Sequence, residues 1–422
     1  MTHGPAPQVE LQTTLAHAQG AYSVAIALGS EGRPANVLLD TGSSSLAVRA
    51  ACYDPARDRD AVRTGLAQEV VYGGGTWAGP VLRSRLSFGS GREARAIADA
   101  WFALIESGDG LFRGADGILG LAYGELDVAR DLSALLASRG VQPPVTWPWP
   151  FAAGDDLDLA TFRDLLQRQP RATLLPAFGA LEQEGVCRNR FGFAAGRAVV
   201  HVASPGASTR AQAADPLNRG TLVLGGGAEQ QHLHRGGFRD VRVVHDLYYN
   251  VNLRAVQVGG EAPIAVPALA PADIATRHSN ALLDTGSSFV VLEPSTWDAV
   301  VAAFGRLDAR FPPLIDACAE AFRDGRGLAG DRIDAHAWPD LRFHFEAPDG
   351  GDTVLRVGGA RYWPRNAVAH GQSLFLLVRG LAHFPRQSIL GLPLFAGRYA
   401  VFDRSAGNGL GVVRFADRPE SA

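Results

Sequence analysis

The chain has 422 residues, with Lys+Arg 40 against Asp+Glu 43 and a formal net charge of −3. No lysine occurs, which removes Schiff-base chemistry, a Walker-type phosphate loop and a Ser-x-x-Lys nucleophile. Hydrophobic residues make up 46%, more than a disordered chain carries; the charge balance leaves no basic footprint for nucleic acid, and the length suits two or three domains.

In chain order, the first twenty residues carry His3, Glu10 and His17 and lack the apolar core of a signal peptide. Short apolar runs bounded by turn residues predict strands at 21–28, 36–39 and 69–72. Helical spacing appears at 127–138 and 157–169. Between them, residues 142–154 (QPPVTWPWPFAAG) are too rich in proline for helix interior or central strand. Residues 204–220 are small and polar and predict an exposed loop near a boundary between halves. Strands are expected again at 241–245, 249–258, 341–345 and 398–402, and helices at 294–304 and 313–322. The outcome is a mainly β protein with a few peripheral helices. No run approaches the roughly 18 apolar residues of a membrane span. Cys52, Cys187 and Cys318 are far apart, show no C-x-x-C spacing and leave at least one thiol unpaired. A disulfide-stapled scaffold is therefore not expected, although one bridge stays open, and the default is a cytoplasmic protein. Periplasmic or secreted placement by an unseen route is the alternative.

An internal repeat organises the rest. Val37-Leu38-Leu39-Asp40-Thr41-Gly42-Ser43-Ser44 recurs as Ala281-Leu282-Leu283-Asp284-Thr285-Gly286-Ser287-Ser288. After each copy comes an Ile-Leu-Gly-Leu segment, Ile118–Leu121 and Ile389–Leu392. The halves read as duplicated lobes, 1–210 and 211–422, each holding one Asp-Thr-Gly-Ser-Ser. An aspartate after three apolar residues sits at the end of a buried strand, and the glycine lets backbone approach whatever lies above it. Two such carboxylates brought close share one proton, since both cannot ionise together; one then acts as base and the other as acid. Such a pair can activate water and protonate a carbonyl without a metal or other cofactor. The plain alternative is two Asp turns, each carboxylate bonding backbone two residues on.

With these residues in view, the chain resembles the pepsin-like aspartic proteases from about residue 22 to about residue 413. The resemblance implies a bilobal fold of two pseudo-symmetric β lobes with an active-site cleft between them. Asp40 and Asp284 take the place of the catalytic aspartates, supported by Thr41, Gly42, Ser43, Thr285, Gly286 and Ser287. Ser43 and Ser287 match hydroxyls that hydrogen-bond the aspartates. Residues 71–76 (VYGGGT) resemble the hairpin that closes over substrate, with Tyr72, Gly73, Gly74 and Thr76 as substrate-binding positions. Leu38, Phe112 and Ile118 would wall a pocket for the apolar side chain at the scissile bond, ordinary core packing being the competing reading. The implied activity is endopeptidase cleavage of a peptide or unfolded protein at acidic pH, preferring bulky apolar residues, by a monomer without cofactor. The alternative is a non-catalytic peptide- or protein-binding relative of the same fold.

Departures from the family pattern are specific. Ala47 stands where a tryptophan is usual, so Tyr72 needs another partner, for which Trp77 is a candidate, with core or surface packing as the equal alternative. Leu392 replaces an aspartate after the second Ile-Leu-Gly, the family's disulfides are not reproduced, and no lysine-rich pro-segment precedes residue 22. Residues 124–172 look inserted, and an extra surface layer is favoured over an element that gates the cleft. His232-x-His234 is the one close histidine pair, and it reads as solvated loop in preference to a metal site.

Overall fold

The computed structural model describes residues 8–18, 20–72, 75–91, 94–108, 112, 114–149, 159–381 and 386–419. The chain is mainly β, and no helix among the described residues is long and apolar enough to cross a membrane. It separates into two compact units, one holding Ser23–Cys187, the other Glu10–Tyr22 with the chain from Arg188 onward. This division falls before the expected 210/211 boundary. Arg190–Ala195 pairs with both Arg219–Leu224 and Arg398–Asp403, which draws residues 188–210 into the second unit. The expected loop at 204–220 contains a helix, Thr209–Ala214, because the Ser208 hydroxyl accepts from the Ala211 N–H and caps it.

The first unit is built on a six-stranded barrel. Its strands are β1 (Ser23–Leu28), β2 (Arg33–Asp40), β3 (Leu46–Arg49), β5 (Gly75–Phe88), β6 (Arg95–Ile105) and β7 (Gly117–Gly120); β4 (Val62–Tyr72) is the outer arm of a hairpin with β5. The ring runs β1–β2–β7–β3–β6–β5 and closes on β1 through the Ile26↔Phe88 pairing. The last four residues of β2 and all of β7 are buried, as expected of strands covered on both faces.

The segment 124–172 is continuous with this sheet. Val128–Asp131 forms β8, whose Arg130 and Asp131 pair with Ala67 and Leu66 on the free edge of β4, and Arg171–Thr173 adds β9 beyond it. The expected helix over 127–138 is thus shortened to α1 (Ser133–Ser138), since the open edge of β4 offers the preceding backbone a ladder. With α2 (Leu159–Gln167), it buries Leu132, Leu136 and Leu166 against Ala67 and Ala78 of the hairpin. The proline-rich stretch is loop where described, held by Thr146, whose N–H and hydroxyl donate to the carbonyls of Thr64 and Leu66. The segment thus adds a layer that is joined to the hairpin by strand pairing and apolar packing.

The second unit combines a sheet of Arg219–Leu224, Arg190–Ala195, Arg398–Asp403, Val412–Asp417 and Arg235–Arg242 with two further main sheets. One contains Ala281–Leu283 (β10), Val290–Leu292 (β11), Leu377–Arg379 (β12) and Ser388–Leu390 (β13). Helices α3 (Pro294–Leu307) and α4 (Phe311–Arg323) pack an aromatic core in which Phe304, Phe311, Trp338 and Phe375 meet. All three cysteines are free thiols.

Candidate active site

The two copies of the repeat fold alike within their own units. In the first, β2 lies parallel to β7, with Asp40 opposite Gly120, and β3 returns antiparallel on the other side of β7. In the second, β10 lies parallel to β13, with Leu283 opposite Leu390, and β11 returns antiparallel beside it. Each aspartate therefore leaves a buried strand into a turn while a third strand passes through the loop.

The Ile-Leu-Gly segments explain themselves at this crossing. A Cβ on Gly120 would stand 2.4 Å from the Ser44 carbonyl carbon, and one on Gly391 would stand 2.2 Å from the Phe289 carbonyl oxygen. Only glycine lets the two backbones touch here. Asp116, before β7, seats that strand: its carboxylate accepts from the Asn36 N–H at 2.8 Å and its carbonyl from the Arg49 N–H at 2.8 Å.

Around Asp40 the carboxylate accepts the Gly42 N–H at 2.8 Å and a short hydrogen bond from the Ser43 hydroxyl, and its side chain is buried. Asp284 accepts the Gly286 N–H at the same 2.8 Å and is half-buried. There the likeness ends. The Ser287 hydroxyl donates its one proton to the Phe289 carbonyl at 2.9 Å, so it does not fill the role expected from its counterpart. Thr41 and Thr285 are buried beneath their turns, and Ser44 and Ser288 donate to the carbonyls of Tyr123 and Gly20.

Tyr72 ends β4, where it pairs with Gly75, and Val71 pairs with Thr76. Gly73 and Gly74 lie outside the described residues. The buried Tyr72 hydroxyl has Ser43 and the Trp77 indole as polar neighbours, neither in hydrogen-bond geometry. Burial first, and the Asp40 carboxylate after it, push the Tyr72 pKa above its ordinary value. Trp77 is fully buried, so it does serve as a core residue beside Tyr72. Leu38 and Ile118 are buried opposite one another across the β2–β7 pair, and Phe112 is buried as well.

A polar cluster behind the loop went unread in the sequence. Asp127, at 2% exposure, accepts from the Ser45 hydroxyl at 2.8 Å and the Gln68 amide at 2.7 Å. Burial, opposed by those two hydrogen bonds, pushes its carboxyl up to about 6. A third serine after Ser43-Ser44 and an aspartate amid apolar neighbours were the available signals.

The two histidines of the close pair turn to separate partners. His232 faces the Glu10 carboxylate at 3.0 Å, while His234 stacks on Tyr399 and reaches the Ala228 carbonyl. No group of metal-binding side chains occurs among the described residues. A scan against models of known protein families finds no match to the chain.

Proposed function

We propose that the protein is an aspartic endopeptidase of pepsin-like architecture, in which Asp40 and Asp284 act on one water. The observation that carries this reading is the duplicated strand-loop-strand crossing, which presents an aspartate in the same backbone setting twice, each carboxylate held at 2.8 Å by the glycine N–H two residues on. A lone Asp turn needs no partner copy, no buried parallel strand and no contact-distance glycine behind it. One carboxylate draws a proton from water, which attacks the peptide carbonyl. The other donates to the carbonyl oxygen, and the pair then returns a proton to the leaving nitrogen. Tyr72 and Thr76 on the hairpin, with Gly42 and Gly286, would hold an extended peptide by its backbone.

The test is cleavage of an unfolded protein across a range of pH by wild type, Asp40→Ala and Asp284→Ala. Wild type should cleave best below neutrality, be blocked by a statine-type mimic, and lose about a thousandfold or more with either substitution. Activity surviving both substitutions, or an optimum above neutrality, refutes the reading. Peptide binding without cleavage at any pH, unchanged by both substitutions, would make the protein a binding relative instead.

A further inference from the structure

We infer that Asp127 is a positioning residue that couples the loop carrying Asp40 to the hairpin strand carrying Tyr72. The inference rests on the endopeptidase reading for its consequence in catalysis, but the coupling itself is a property of the first unit.

The geometry is specific. Ser45 is two residues beyond Ser43, whose hydroxyl bonds the Asp40 carboxylate. Gln68 lies on β4, on the same face as Tyr72 because side chains on a strand alternate. A single oxygen of Asp127 accepts from both Ser45 and Gln68, and the Gln68 amide also lies 3.3 Å from the Ser45 hydroxyl and 3.4 Å from the Val128 carbonyl. All three side chains are buried, at 3%, 1% and 2% for Ser45, Gln68 and Asp127. No water competes at such depth, so freeing any member leaves a buried polar group unsatisfied. Asp127 is itself fixed from both sides of the chain: its N–H donates to Gly124 at 3.0 Å and its carbonyl accepts from Leu174 at 2.7 Å. The strand that follows it pairs with β4 at Leu66 and Ala67, one residue short of Gln68. Movement of the hairpin base thus pulls on the Asp40 loop through one carboxylate.

The cluster senses pH. The ionisable and charged groups on the elements around it are Asp40 on the loop, Arg63, Glu69 and Tyr72 on β4, Glu125 on the preceding turn, Arg130 and Asp131 on β8, and Arg171 on β9. Glu69 is paired with Arg163 at 2.7 Å, and Arg130 donates to the Gln169 carbonyl. Burial is the largest influence on Asp127 and favours the neutral acid in the closed cluster, whereas an opened cluster exposes an ordinary carboxyl. Opening is therefore hardest below the ordinary carboxylate pKa. It becomes easier as pH rises from about 4 to about 6, and changes no further above that.

The experiment uses the full chain and two readouts. Amide hydrogen exchange, corrected for the intrinsic effect of pH, is followed in residues 43–46 and 66–72. In wild type both segments should lose protection together, by up to about a hundredfold between pH 4 and 6. Asp127→Asn keeps an acceptor and carries no charge, so it should stay protected and show no such pH dependence. Ser45→Ala and Asp127→Ala should raise exchange in both segments by about tenfold or more. In unfolded-protein cleavage at pH 4, Asp127→Ala should lower kcat at least about tenfold with KM within about threefold, and Asp127→Asn should restore it. Response of one segment alone, or Asp127→Asn retaining the wild-type pH dependence, overturns the inference. A normal kcat in Asp127→Ala overturns its catalytic consequence. Should wild type cleave nothing while the exchange results hold, the endopeptidase reading falls and the coupling stands.

Discussion

The contact-distance glycines offer a direct test of the duplicated crossing, independent of any activity. In Gly120→Ala the added methyl would lie 2.4, 2.5 and 2.6 Å from the backbone C, Cα and N of Ser44, none of which can rotate away. Reaching an ordinary 3.4 Å contact requires the loop and β7 to separate by about 1 Å. Three hydrogen bonds span that gap: Gly120 N–H to Ser45 at 3.0 Å, Leu121 N–H to Asp40 at 2.7 Å, and Ala122 N–H to Ser43 at 2.8 Å. Overpacking of this kind costs about 1–3 kcal/mol, and each weakened bond adds up to about 1. The expected loss is roughly 3–5 kcal/mol. Gly391→Ala, facing the Phe289 and Ser287 carbonyl oxygens at 2.2 and 2.4 Å, should behave alike. Gly237→Ala is the control, because nothing lies within 4 Å of its Cβ and it should fall within about 0.5 kcal/mol of wild type. Urea unfolding followed by circular dichroism reads all three. A Gly120→Ala midpoint indistinguishable from that of Gly237→Ala would refute the account of the crossing. If the endopeptidase reading holds, a 1 Å displacement of the Asp40 loop should also cost about a hundredfold in kcat.

Other outcomes follow from the packing and electrostatics. Leu136→Ala, in the cluster that joins the 124–172 segment to the hairpin, should cost about 2–5 kcal/mol, whereas Arg163→Ala, which breaks a partly exposed pair with Glu69, should cost under about 1; thermal unfolding of the two variants ranks them. Glu293 caps α3, where burial opposes its charge but hydrogen bonds from Ser295 and Thr296 outweigh it and hold its pKa below the ordinary value. A depressed carboxylate stabilises above its unfolded pKa and loses that contribution as pH falls, so Glu293→Ala should cost about 1 kcal/mol at pH 7 and little at pH 3 by urea unfolding.

What could be read in the sequence was local or repeated. The helices expected at 294–304 and 313–322 are present as Pro294–Leu307 and Phe311–Arg323, because their apolar spacing and early prolines are local signals. Both aspartates lie where three preceding apolar residues put them, at strand ends. Strand β5 carries Gly79-Pro80, a pair that in sequence has the signature of a break. In the fold, Pro80 faces Ala67 beside an irregularity in the β4–β5 register, and Gly79 lets the Leu104 carbonyl approach a position that a Cβ would occupy. Asp127 was hidden for a different reason. Its partners are distant in sequence, and a polar residue beside an apolar run looks the same whether it meets water or a buried amide. Ser287 is the converse case: an identical motif does not impose identical hydrogen bonds, because a hydroxyl has one proton and here gives it to the Phe289 carbonyl.

That difference begins at the residue after the repeat. Ser45 follows Ser44 in the first unit, and Phe289 follows Ser288 in the second. Ser45 turns to Asp127 and thereby to β4, whereas Phe289 packs its ring on Phe322 of α4 and lends its carbonyl to Ser287. One copy is braced by a buried polar group whose carboxyl burial pushes up to about 6, and the other by apolar contact. The backbone constraint, glycine against loop, is the same in both because it follows from two chains crossing at contact distance. The brace is free to differ because any group that fills the space behind the loop will hold it. Both units therefore keep what geometry demands of the aspartate, while they differ in how that aspartate is steadied.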